Sequence, residues 1–97
     1  MVHRVTWNPH ALRSLDRLED FLREKSPRAG TRAVLTIIGA ARTLADFPHA
    51  GRLADDLHPD ERELLVAFGT SGYVIAYRLR ENWVEILDVR HQREAGY

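Results

Sequence analysis

Ninety-seven residues, 44% of them hydrophobic, suit a single domain over residues 1–97 with a modest core. Fourteen basic and fourteen acidic side chains cancel, so no overall field draws the chain onto nucleic acid. The chain has no cysteine, which excludes disulfides and thiolate metal ligands, and the apolar runs fall short of the roughly 18 to 20 residues of a membrane span.

Residues 3–7, HRVTW, read as a short strand. The opening MVHRVTW has no apolar signal-peptide core, and a cytoplasmic protein is expected. Asn8 and Pro9 then form a helix start, a capping side chain followed by a ring that presets the first helical φ. Ala11, Leu12, Leu15, Leu18, Phe21 and Leu22 recur at helical spacing and predict one apolar stripe. Ser26-Pro27 repeats the start signal and opens a second helix, predicted over 27–45, with its stripe on Ala33, Val34, Ile37, Ala41 and Leu44. Two such helices with so short a joint make an antiparallel hairpin, which Pro48 and Gly51 end.

The second half changes period. LLVAF (64–68), YVIAYRL (73–79) and WVEILDV (83–89) are rich in β-branched and aromatic residues, and hairpin-length connections at 69–72 and 80–82 join them into an antiparallel meander. The predicted class is α+β: a short N-terminal strand, a two-helix hairpin, then three strands, with both helices on one face of the sheet. The acids of DDLHPDERE (55–63) read as a solvated loop before the first meander strand.

Charge is segregated along the chain. Residues 1–45 hold eight basic and four acidic groups, residues 46–63 hold two and six, and residues 64–97 hold four of each. Thirteen of the fourteen basic residues are arginine, Lys25 being the exception. Arginine's planar fork suits anions, though a GC-rich genome would give the same bias. On the second helix Arg28, Arg32, Leu35 and Arg42 fall opposite the core stripe, and no acid occurs from Thr31 to Ala45. That face suits an acidic, apolar peptide.

Candidate chemistry is sparse. Five scattered histidines lack metal-ligand spacing, the serines lack a nucleophile-elbow pattern, and no glycine loop suits a phosphate, so no metal or cofactor is expected. Tyr73 and Tyr77 read as core aromatics whose hydroxyls reach the rim. Arg62 begins the first meander strand, Arg78 lies in the second, and Arg90, His91 and Arg93 follow the third.

At these residues the chain resembles the RelE/ParE superfamily of toxins from bacterial type II toxin–antitoxin modules. WNPHALRSLDRLEDFL, LADFPHAGR, RELLV, GYVIAYRL and VEILDVRHQR occur in that family's order and span nearly the whole chain. The resemblance implies a small sheet carrying two N-terminal helices and an antitoxin that wraps the toxin; the face of the second helix described above makes Arg28, Arg32, Leu35 and Arg42 its expected contacts. RelE-type members are ribosome-dependent mRNA endoribonucleases, whereas ParE-type members poison DNA gyrase. A nuclease here would have to draw on Arg62, Arg78, Arg90, His91, Arg93 and Tyr97. Three departures oppose that reading: Ala67-Phe68-Gly69 stands where RelE-type toxins tend to carry an arginine, Asp88 puts a negative charge beside the terminal cluster, and the net charge is zero. The expected function is therefore ParE-like, with Arg78, Arg90, His91 and Arg93 contacting the target. The alternatives are a RelE-like nuclease acting on the ribosome and mRNA, and a module component that has lost toxicity.

Overall fold

The structure, a computed structural model, describes residues 2–53 and 58–95, the side chains of Glu94 and Ala95 excepted. Strand β1 (Arg4–Trp7) leads into α1 (Pro9–Lys25) and α2 (Pro27–Thr43). Strands β2 (Glu61–Phe68), β3 (Ser71–Leu79) and β4 (Trp83–His91) follow, and a single 3₁₀ turn spans Gln92–Ala95. The helix boundaries come from local chemistry. Asn8 Oδ1 accepts from the Ala11 N–H at 2.8 Å, and Ser26 Oγ accepts from the Ala29 N–H at 3.3 Å. Ser26 also donates its own N–H to the Leu22 carbonyl at 2.8 Å, so one residue closes α1 and caps α2.

The sheet order is β1-β4-β3-β2. β2, β3 and β4 form the antiparallel meander that the sequence predicts, and β1 adds to its far side, parallel to β4. The β2–β3 connection is tighter than expected. Phe68 pairs directly with Ser71, leaving two turn residues, and Gly69 has φ of 61°. A glycine with positive φ at the first of two turn positions is what a type II′ hairpin requires.

Both helices pack on one face. Ala11, Leu15 and Leu18 of α1, Ala33, Ile37 and Ala41 of α2 and its C-cap residue Leu44 meet Ile75, Tyr77, Val84, Ile86 and Val89 of the sheet. Each fully buried aliphatic side chain there contributes about 1.5–3 kcal/mol. Two members of the predicted α1 stripe lie outside this core: Leu12 is 48% exposed and Phe21 56% exposed. At 3.6 residues per turn they fall roughly a quarter turn to either side of the line through Ala11, Leu15, Leu18 and Leu22. Ser14, fully buried, occupies the core-facing position instead.

Strand parity breaks once. Tyr77 pairs with Ile86 and Ala76 pairs with Asp88, so Leu87 has no partner. This β-bulge shifts the inward positions of β4 from Val84 and Ile86 to Val89 and His91. It also turns Asp88 toward α1, where its Oδ1 accepts from Ser14 Oγ at 2.7 Å and lies 3.3 Å from His10 Nε2. The Asp88 carboxylate is thus engaged by α1.

A second expectation also needs correction. Of the acids read as a solvated loop, Glu61 and Glu63 belong to β2, where their alternation places them on the face without helices. Asp55 and Asp56 lie outside the described residues.

Candidate functional site

The helix-free face of the sheet carries its own charge pairing. Arg78 Nη2 donates to Glu61 Oε2 at 2.6 Å and Arg90 Nη2 to Glu63 Oε2 at 2.6 Å, while Arg52 Nη2 approaches Glu63 Oε1 at 3.5 Å. The strand register dictates the first pair, since Glu61 stands opposite Arg78. The hydrogen bond it donates to Glu61, above all, raises the Arg78 guanidinium pKa above its ordinary value. Glu63 is only 8% exposed, so these guanidinium partners offset the desolvation of its carboxylate.

Arg62 points the other way, in register with Tyr77. Its Nη1 donates to the Gly51 carbonyl at 2.9 Å, helping to hold the segment after α2 against the edge of the sheet. The Tyr77 hydroxyl fixes the same segment: it donates to the Pro48 carbonyl at 2.7 Å and accepts from the Gly51 N–H at 2.9 Å. A Cβ at residue 51 would come within 2.6 Å of the Tyr77 ring, so glycine is required for this approach. Burial pushes the Tyr77 phenol up from its ordinary 10.0, with the Gly51 bond and nearby Arg62 opposing. Arg52 and Glu63 complete the attachment by exchanging both backbone hydrogen bonds, at 2.8 and 2.9 Å.

On the helix side the molecule opens into a cleft of about 390 Å³ between the C-terminal half of α1 and the end of the sheet. Leu18, Phe21, Leu22, Phe68 and Tyr73 make its apolar walls, and Lys25, His91 and Arg93 complete the lining. The aromatic rings are already engaged. Phe68 and Tyr73 are tilted against each other at 5.8 Å, and His91 meets Tyr73 edge-on at 5.4 Å. Lys25 Nζ stands 4.7 Å from the centre of Phe21, and the Arg32 guanidinium 5.9 Å from the centre of Phe68. His91 Nδ1 accepts from the Arg93 N–H at 3.1 Å, which seats the terminal 3₁₀ turn over the cleft.

The residues named from sequence therefore divide into separate groups. Arg78 and Arg90 are paired with β2 acids on the helix-free face. Arg62 serves the strap after α2. His91 and Arg93 reach the cleft, on the other side of the sheet from Arg78 and Arg90, and Tyr97 lies outside the described residues. Arg28, Arg32, Leu35 and Arg42 are all exposed along α2, with Leu35 64% exposed. The cleft roles of Phe21, Lys25 and Phe68 were not anticipated. One signal pointed to them: Phe21 lies off the axis of its own stripe, and Lys25 is the single lysine in an arginine-rich chain. Among the described residues no three His, Cys, Asp or Glu side chains gather as a metal site, and no helix is long and apolar enough to cross a membrane.

A helix hairpin laid on one face of a β1-β4-β3-β2 sheet is the RelE/ParE toxin fold. The chain matches, over residues 5–96, the family described as ParE toxin of type II toxin–antitoxin system, parDE. It is 37% identical over 90 residues to Toxin RelE3 of Caulobacter vibrioides, covering 93% of this chain and 95% of that protein. Among solved structures, the chromosomal ParDE TA system from P. aeruginosa aligns with a TM-score of 0.73 at 19% identity, covering 93% of this chain and 96% of that one. The toxin–antitoxin complex RelBE2 from Mycobacterium tuberculosis aligns with a TM-score of 0.63 at 23% identity, covering 95% and 93%. These two structural likenesses speak to the fold, whereas the family match and the relative carry membership. The chain belongs to the RelE/ParE superfamily of type II toxins.

Proposed function

We propose that the chain is the toxin of a type II toxin–antitoxin module, ParE-like, which arrests growth by binding and poisoning DNA gyrase in the cytoplasm and is neutralised by a cognate antitoxin. The observation that carries the choice of gyrase over RNA is the pairing of Arg78 with Glu61 and Arg90 with Glu63. Cleavage beside a 2′-hydroxyl needs a base, a cation for the developing charge and an acid, all converging on one phosphate. Here two of the candidate cations are held by carboxylates, a third serves a backbone carbonyl, and His91 lies on the opposite side of the sheet. A chain of zero net charge is also poorly suited to attach to a polyanion as large as the ribosome. A protein target needs no such convergence, and a surface of paired charges around exposed apolar residues suits it. The antitoxin partner is supported by the structural neighbours, which are named for toxin–antitoxin systems.

A RelE-like ribonuclease is the second reading, favoured by the RelE-type name of the relative and by the meeting of Tyr73, His91 and Arg93 at one cleft. The two are separated by inducing the chain in bacteria that carry a DNA-damage reporter while mapping mRNA ends. Reporter induction with intact transcripts is expected. Cleavage at fixed positions within codons, without reporter induction, would overturn the gyrase reading.

A further inference from the structure

A sheet of order β1-β4-β3-β2 has its margins at β1 and β2. An edge strand offers unpaired N–H and C=O groups to any other strand, and proteins blunt it by shortness, charge, proline or a covering segment. β1 is four residues long and opens with Arg4. The first half of β2 carries Glu61, Arg62 and Glu63, and the strap covers it where Arg52 and Glu63 exchange backbone hydrogen bonds. The second half, LLVAF (64–68), has no charge, no proline and no bulge against β3.

The direction in which each backbone group points follows from the strand's neighbours. Glu63 turns its N–H and C=O outward to Arg52. By alternation Leu65 and Ala67 turn theirs outward too, while Leu64, Val66 and Phe68 bond to β3. Among the described residues, neither Leu65 nor Ala67 has a backbone hydrogen bond on the outer side. The open margin is therefore two residues of like sense, and such a margin is complementary to itself. In an antiparallel pairing about a two-fold axis at Val66, Leu65 of one copy stands opposite Ala67 of the other, and the reverse. Each such pair exchanges two N–H···O=C bonds, so every outward group of Leu65 and Ala67 on both strands is used.

The side chains agree with this register. Leu65, 47% exposed on the helix-free face, comes to lie against Ala67 of the second copy. Glu63 comes opposite Gly69, so no charge meets a like charge across the axis. This match in length, sense and neutrality favours a second copy over an unrelated strand. We infer that the chain self-associates through the second half of β2, as a transient two-fold dimer whose four-stranded sheets join into one. The inference does not depend on which target the toxin takes.

The test is sedimentation equilibrium of the full chain alone, from about 10 μM to about 1 mM, the range in which small contacts populate a dimer. Wild-type chain should move from one chain mass toward two. Leu65→Lys puts at the join the charge that guards natural edges, and Ala67→Pro removes an N–H that points away from β3. Each should weaken association by about tenfold or more. Leu35→Lys, on the exposed face of α2, should leave it within about twofold. Thermal melts check that each variant stays folded, and Leu65→Lys decides if Ala67→Pro does not. Amide exchange gives a second reading. Protection of the Leu65 and Ala67 N–H groups should rise with concentration, while Val66, already bonded to β3, should not change. A wild type that stays monomeric up to about 1 mM overturns the inference. A dimer that folded β2 variants retain, or that only Leu35→Lys abolishes, overturns it too, because the join then lies elsewhere.

Discussion

Tyr77 joins the core to the strap with one hydroxyl. Its ring is fully buried, and its oxygen bridges Pro48 and Gly51, 29 and 26 residues earlier in the chain. Removing that oxygen leaves a carbonyl and an N–H without their partner, at a cost of about 1–3 kcal/mol. Tyr77→Phe should lower stability by that amount at neutral pH, measured by urea unfolding. The wild type should also lose stability at alkaline pH through this residue. The Tyr77 pKa is raised by burial, so above 10.0 the unfolded chain sheds the proton first and is favoured as pH climbs. The phenylalanine variant should show a shallower alkaline decline. On the other face, Glu63 depends on Arg90. Arg90→Leu leaves a nearly buried carboxylate with only the longer Arg52 contact and should cost about 1–3 kcal/mol. Changing Glu63 to Leu as well should recover part of that loss, because two apolar groups leave no stranded charge. Sequence alternation placed the Tyr77 ring in the core. It held no sign of the hydroxyl's partners, which are brought near only by the path of the chain after α2.

At the level of elements, the start signals were direct. Asn8-Pro9 and Ser26-Pro27 begin helices where capping chemistry requires, because those interactions span only three residues. Ser26→Ala should cost about 1 kcal/mol, seen as a fall in melting temperature of about 4–8 °C. The C-terminal bond of α1 uses the Ser26 backbone and should survive the change. Less legible was everything that depends on which face a strand presents. The inward residues of β4 change parity between Ile86 and Val89, and that change is present in the sequence as Val84, Ile86, then Val89. Read as one continuous apolar strand, it hid the bulge, and with the bulge the separation of His91 from Arg90. Glu61 and Glu63 were obscured in a similar way. Strands rarely begin with acids, and only cross-strand arginines on β3 and β4 make these two favourable.

The whole molecule balances its charge locally as well as in total. Acids from the middle of the chain meet arginines from the C-terminal strands on the helix-free face, leaving α2 and the cleft as the cationic surface. The order of elements, the meander and the helix-covered face could all be read from periodicity. The site could not, because its members come from α1, β2, β3, β4 and the terminal turn, and no local spacing records that meeting. As proposed above, this toxin binds a protein target and does no chemistry on RNA. Adding the purified chain and its His91→Ala variant separately to a gyrase supercoiling reaction and to translating ribosomes with mRNA separates the two activities. Wild-type chain should inhibit supercoiling and leave mRNA whole. His91→Ala should weaken inhibition by less than about thirtyfold, as the loss of one contact among several does. Ribosome-dependent mRNA cleavage that disappears in His91→Ala, with supercoiling untouched, would contradict the gyrase proposal.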